Sequence, residues 1–159
     1  WIMKHIRDKY ALIYQNNPKL DLYIQKYGCY FMSLYFHSGK IYSAAMLNEI
    51  WNRCIALGYI TGDMNGDGDL DDYNEAIMVN PSGVAKELGL PYKYIGKHSE
   101  GTDKIPNGYI AVGCFYNERT KFTHFVAINK YKTVIYDPIP NSVTVREGKM
   151  ISMRLFAHV

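Results

Sequence analysis

Tyr27-Gly28-Cys29-Tyr30-Phe31-Met32-Ser33-Leu34-Tyr35-Phe36 sets a turn glycine and a cysteine at the head of a continuous apolar run. Closed by Gly39, such a run reads as a buried helix beginning near Cys29. The position has chemical weight. The first turn of a helix carries N–H groups without intrahelical partners and a partial positive charge, which favour thiolate over thiol. The same N–H groups can hydrogen-bond an oxyanion formed when a thiolate attacks a carbonyl. Gln25, just upstream, can add a side-chain N–H donor. The competing reading of Cys29 is a small apolar residue buried in the core.

Outward from this segment, the first half of the chain is helical in pattern. Ile2 to Tyr14 is apolar at mixed spacing and stops before the turn Asn16-Asn17-Pro18. Ser43 to Leu57 has Ser43 as N-cap, apolar residues at helical spacing from Met46 to Ile55, and Gly58 as stop. A short helix follows Asn80-Pro81-Ser82 and ends at Gly89. The second half changes character. Tyr92–Gly96, Gly108–Tyr116, Phe122–Asn129, Thr133–Tyr136 and Ile151–Phe156 are short and rich in β-branched and aromatic residues, as strands are. A helical N-terminal half packed on a C-terminal antiparallel sheet is an α+β arrangement in a single domain over 1–159, with a cleft expected where the halves meet.

Of five histidines, His124 lies inside the core-bound strand Phe122-Thr123-His124-Phe125-Val126-Ala127-Ile128. Asp137 closes the next strand, Thr133-Val134-Ile135-Tyr136. A hairpin with Lys130 and Tyr131 as its two loop residues sets His124 directly opposite Asp137. Opposed residues have Cβ atoms roughly 4.5–5.5 Å apart, within reach for a carboxylate to orient an imidazole. A three-residue turn instead pairs His124 with Pro138 or a neighbour, and no Asn-Gly pair fixes the choice. Asp-Pro also commonly just ends a strand.

Gln-x-x-x-Cys opening a helix with Gly28 before the cysteine, a later His-Phe-Val strand and then Tyr-Asp-Pro resemble the papain-like peptidases that process double-glycine bacteriocin leaders, and their uncharacterised relatives. The likeness spans Gln25 to Pro138. It implies a papain-like fold, with Cys29 as nucleophile, His124 as general base, Asp137 as its orienting partner and Gln25 as oxyanion donor. Gln25 stands closer to the cysteine than in most papain-like enzymes, and Tyr23 occupies the more usual place. The implied chemistry is attack of the Cys29 thiolate on a peptide or amide carbonyl, then hydrolysis of an acyl-enzyme.

Asp63-Met64-Asn65-Gly66-Asp67-Gly68-Asp69-Leu70-Asp71-Asp72 follows the first part of an EF-hand loop. Asp63, Asn65 and Asp67 supply oxygens at alternate positions, Gly66 allows the sharp turn, and Asp69 adds a further carboxylate. The closing position holds Asn74 in place of a bidentate Glu, with Glu75 one residue late. One residue turns a helical side chain by about 100°. The expectation is a weak structural calcium site, against a solvated acidic turn that binds nothing.

Composition bounds the rest. The chain has 159 residues, of which 48% are hydrophobic, enough for one packed core. The net charge of +3 comes with no basic block, which argues against a nucleic-acid partner. No apolar run is long enough for a membrane span. Trp1-Ile2-Met3-Lys4 does not read as a secretory signal, so the compartment stays open with a lean to the cytoplasm. Three unpaired-looking cysteines make neither a disulfide framework nor a zinc site, and Cys54 and Cys114 read as core residues. Three functions follow: a cysteine peptidase acting on a peptide or protein, a catalytically silent papain-like domain binding such a partner, and a calcium-stabilised interaction module.

Overall fold

Asp21 starts the first helix by accepting the Tyr23 N–H on its carboxylate at 2.9 Å, and α1 runs Leu22–Tyr27. Gly28 ends α1 and begins α2, Cys29–Ser38. A Cβ at Gly28 would lie 2.5 Å from the Ile24 carbonyl oxygen, so this joint needs glycine. Gly39 stops α2 in the left-handed region at φ 69°. α3, Ala44–Ala56, is capped by Ser43, whose Oγ accepts the Met46 N–H at 3.1 Å. α4, Pro81–Glu87, follows Asn80, whose side chain accepts the Gly83 N–H.

The computed structural model describes residues 12–71, 74–99 and 104–159. The helix expected over Ile2 to Tyr14 falls outside the described residues as far as residue 11, and Leu12, Ile13 and Tyr14 are not helical. Two short helices were not foreseen: α1, and α5 over Val143–Glu147, capped by Ser142.

Five strands follow: β1 Tyr92–Ser99, β2 Ile110–Asn117, β3 Phe122–Ile128, β4 Val134–Tyr136 and β5 Lys149–His158. They form one antiparallel sheet in the order β1-β5-β2-β3-β4. Alternation along the strands sorts side chains to two faces. Val112, Ala127, Tyr136 and Phe156 join Phe31, Leu34, Leu47 and Trp51 of the helices in the main core. Ala111, Val126, Ile128, Met153 and Leu155 form a smaller cluster with Val145 of α5. The molecule is thus α+β, with α2 against β3 and β2. Among the described residues no helix is long and apolar enough to cross a membrane.

The two-residue hairpin expected between β3 and β4 does not form. Asn129 and Thr133 close a three-residue loop through the Asn129 N–H to the Thr133 carbonyl at 3.0 Å, with Lys132 left-handed at φ 66°. Ile128 pairs with Val134 and Ala127 with Tyr136, which makes Ile135 an extra residue in β4. His124 and Asp137 are therefore not cross-strand partners. The pairing with β4 reaches only Ala127, so β3 is an edge from Phe122 to Val126.

Candidate active site

At that edge His124 is buried, and its Nε2 meets Asp137 Oδ1 at 2.7 Å. Asp137 can turn towards it because it lies just past the end of β4, free of the ladder. The same Oδ1 accepts the Ile139 N–H at 3.1 Å, and Oδ2 accepts the Ser142 N–H at 3.3 Å. The carboxylate is thereby fixed from three sides.

The other side chain that acts on the imidazole is Cys29, at the head of α2. With Nε2 on the carboxylate, Nδ1 is the ring nitrogen left for the thiol. Burial works to lower the His124 pKa, but interactions with Asp137 and Cys29 outweigh it and carry it from 6.5 up to about 9. Burial likewise pushes Asp137 upward, and contacts with His124, Ser142 and Ile139 leave it below the ordinary carboxylate value.

The three cysteines separate clearly. Cys29 is half-buried, whereas Cys54 and Cys114 are buried. Burial pushes the Cys54 thiol up to about 12 and raises Cys114 as well, so neither suits a nucleophile.

Gln25 does not reach this cluster. Its Nε2 donates to the Leu20 carbonyl at 2.8 Å, which turns the amide back into α1's own approach. Gln15, not singled out in the sequence, takes the nearer place. It is buried, its backbone N–H bonds the Pro138 carbonyl at 2.8 Å, and its Nε2 donates to the Gln25 carbonyl at 3.0 Å. Its Oε1 is buried without a partner. Gln15 lines a hollow of about 730 Å³ together with Cys29, His124, Lys26 and Lys121. No periodicity in Tyr14-Gln15-Asn16-Asn17 marks it; only the strap between residues 13–15 and 136–138 brings it in.

A family model described as "Protein of unknown function, DUF261" matches residues 11–158, nearly the whole chain. The chain belongs to the DUF261 family. No curated protein and no solved structure matches it.

In this DUF261 chain the acidic loop lies on the α1 side, with Tyr23 Oη donating to the Gly68 carbonyl at 2.8 Å. Asp63 accepts backbone N–H groups from Gly68, Gly66 and Asp67, which hold its carboxyl below the ordinary value. Asn65 Nδ2 and the Asp69 N–H donate to Asp67. Glu75 is buried, accepts the Met64 N–H at 2.6 Å and comes within hydrogen-bonding reach of Asp63. The late acid thus folds back to the loop, although among the described residues no three His, Cys, Asp or Glu side chains converge as a metal shell. Asp72 lies outside the described residues.

Proposed function

We propose that this protein is a papain-like thiol hydrolase that cleaves a peptide or amide bond through Cys29, His124 and Asp137. The observation that carries the reading is the chain of contacts from Asp137 through buried His124 to the half-buried thiol at the head of α2. An imidazole held by a carboxylate and raised to about 9 stabilises a thiolate beside it as an ion pair. Cys29 Sγ attacks the carbonyl, and the electron pair moves to oxygen. The oxyanion meets N–H groups at the start of α2 and the second amide hydrogen of Gln15, whose first is taken by Gln25. His124 passes its proton to the leaving amine. It then takes one from water, whose oxygen attacks the acyl-enzyme and frees the acid.

The acidic loop belongs to the same proposal as a structural calcium site formed by Asp63, Asn65, Asp67, Asp69 and Glu75. Two carboxyl groups in hydrogen-bonding reach of each other, Asp63 and Glu75, favour a cation between them.

The test is the rate of iodoacetamide reaction at Cys29, followed by mass spectrometry, in the wild type and in His124→Ala. We expect Cys29 to outrun Cys54 and Cys114 by at least 100-fold and to lose most of that lead in the variant. If Cys29 reacts like an ordinary thiol with or without His124, the hydrolase reading fails and a silent peptide-binding domain takes its place.

A further inference from the structure

Cys29 borders a second hollow, of about 380 Å³, which His124 does not line. Its walls include the rings of Tyr30, Trp51, Tyr94 and Phe125, with Met78 and the guanidinium of Arg154. The division of labour between the two hollows follows from the chemistry. A leaving amine must sit where His124 can protonate it, so it occupies the hollow that contains the imidazole. The acyl part then extends past Sγ to the other side, into the aromatic hollow.

Among the described residues, the one charged side chain on that hollow's lining is positive. Arg154 lies 5.2 Å from the Phe125 ring centroid. Among the described residues its guanidinium makes one hydrogen bond, to Ser152 Oγ at 2.7 Å, and no carboxylate pairs with it. A cation set among rings, with no carboxylate to pair it, makes the wall electropositive. A guest with a large apolar body and a negative charge answers both the rings and the cation. A glycine in the acyl position would leave the hollow unfilled.

We propose that the acyl side of the substrate carries an aromatic residue next to an acidic one, the ring held by Tyr30, Trp51, Tyr94 and Phe125 and the carboxylate by Arg154. This rests on Cys29 being the nucleophile, and the experiment separates the two. Inactivation of Cys29 is timed with acetyl-Gly, acetyl-Phe, acetyl-Glu-Phe and acetyl-Lys-Phe chloromethyl ketones, with iodoacetamide in parallel. Loss of chloride and formation of one S–C bond is the whole reaction. Burying a ring is expected to make the Phe reagent at least tenfold faster than the Gly reagent. The Glu-Phe reagent should exceed Lys-Phe about tenfold, and Arg154→Gln should erase that preference when each rate is divided by the same protein's iodoacetamide rate.

Equal rates across the four reagents, with iodoacetamide fast and dependent on His124, would overturn this inference and leave the hydrolase reading standing. If the thiol itself proves ordinary, Trp51 fluorescence in Cys29→Ala reports binding directly. Acetyl-Glu-Phe-amide must then bind at least tenfold tighter than acetyl-Gly-Gly-amide. Equal affinities would end the proposal.

Discussion

At the scale of single residues, the His124–Asp137 bond makes the sharpest forecasts. The folded pKa of His124, about 9, lies above its ordinary 6.5. The contact therefore contributes stability that is complete below about 6.5 and lost as pH rises through about 9. Asp137 is shifted the other way, so its share is present above the ordinary carboxylate value and lost as pH falls through its lower folded one. Urea midpoints measured against pH should accordingly fall on the alkaline side for the wild type, and Asp137→Asn should flatten that fall. The same variant should bring the His124 imidazole, read by NMR, back towards 6.5. The two glutamines offer a second contrast. Gln15→Ala should cost turnover about 100-fold while sparing iodoacetamide reactivity, because an oxyanion forms only on a carbonyl substrate. Gln25→Ala should change turnover less than tenfold, since its amide already serves Leu20. Cys29, His124 and Asp137 stood out in the sequence because each sits at an element boundary or inside an apolar strand. Gln15 was not, since its burial depends on contacts across more than a hundred residues of chain.

At the scale of elements, caps and glycine stops carried most of the information. Ser43 and Gly58 bracket α3, Asn80-Pro81 opens α4, and Gly39 stops α2, each by a local hydrogen bond or a left-handed φ. Richness in β-branched and aromatic residues located all five strands to within a few residues. What local signals could not give was the register of β3 on β4. Lys132 adopts a left-handed φ without the glycine or asparagine that advertises such a turn, and the extra Ile135 leaves no compositional trace. The joint between α1 and α2 is the element-scale test. Gly28→Ala would force a Cβ against Ile24, so we expect about 1–3 kcal/mol of lost stability and a Cys29 alkylation rate reduced at least fivefold. Ser43→Ala, which removes only the cap of α3, should cost about 1 kcal/mol in urea unfolding and leave the alkylation rate unchanged.

At the scale of the whole molecule, α2 brings its N-terminal end to the sheet edge that β4 leaves open, and the two hollows meet at Cys29. The acidic loop is tied to α1 by Tyr23 and Gly68, one helix upstream of that point. Calcium at the loop should therefore raise the melting temperature by a few degrees in a scan at millimolar calcium against chelator, with the gain abolished by Asp63→Ala. No change in either protein would mark the loop as a calcium-free turn. Tyr136 Oη donates to the Ile13 carbonyl at 2.7 Å, and the Gln15 N–H to the Pro138 carbonyl, so the earliest described stretch is fastened beside the site's acid. Those partners are 123 residues apart along the chain. Helices α1 to α3 close over short distances, but this clasp closes a loop of more than a hundred residues, and such long-range closures come late and slowly. During refolding, helical signal should accordingly recover before Cys29 acquires its fast reaction. On the proposed reading, a ribosome-bound chain would carry an inert thiol until Asp137 and Pro138 had emerged, a delay that would keep such a hydrolase silent while it is being made.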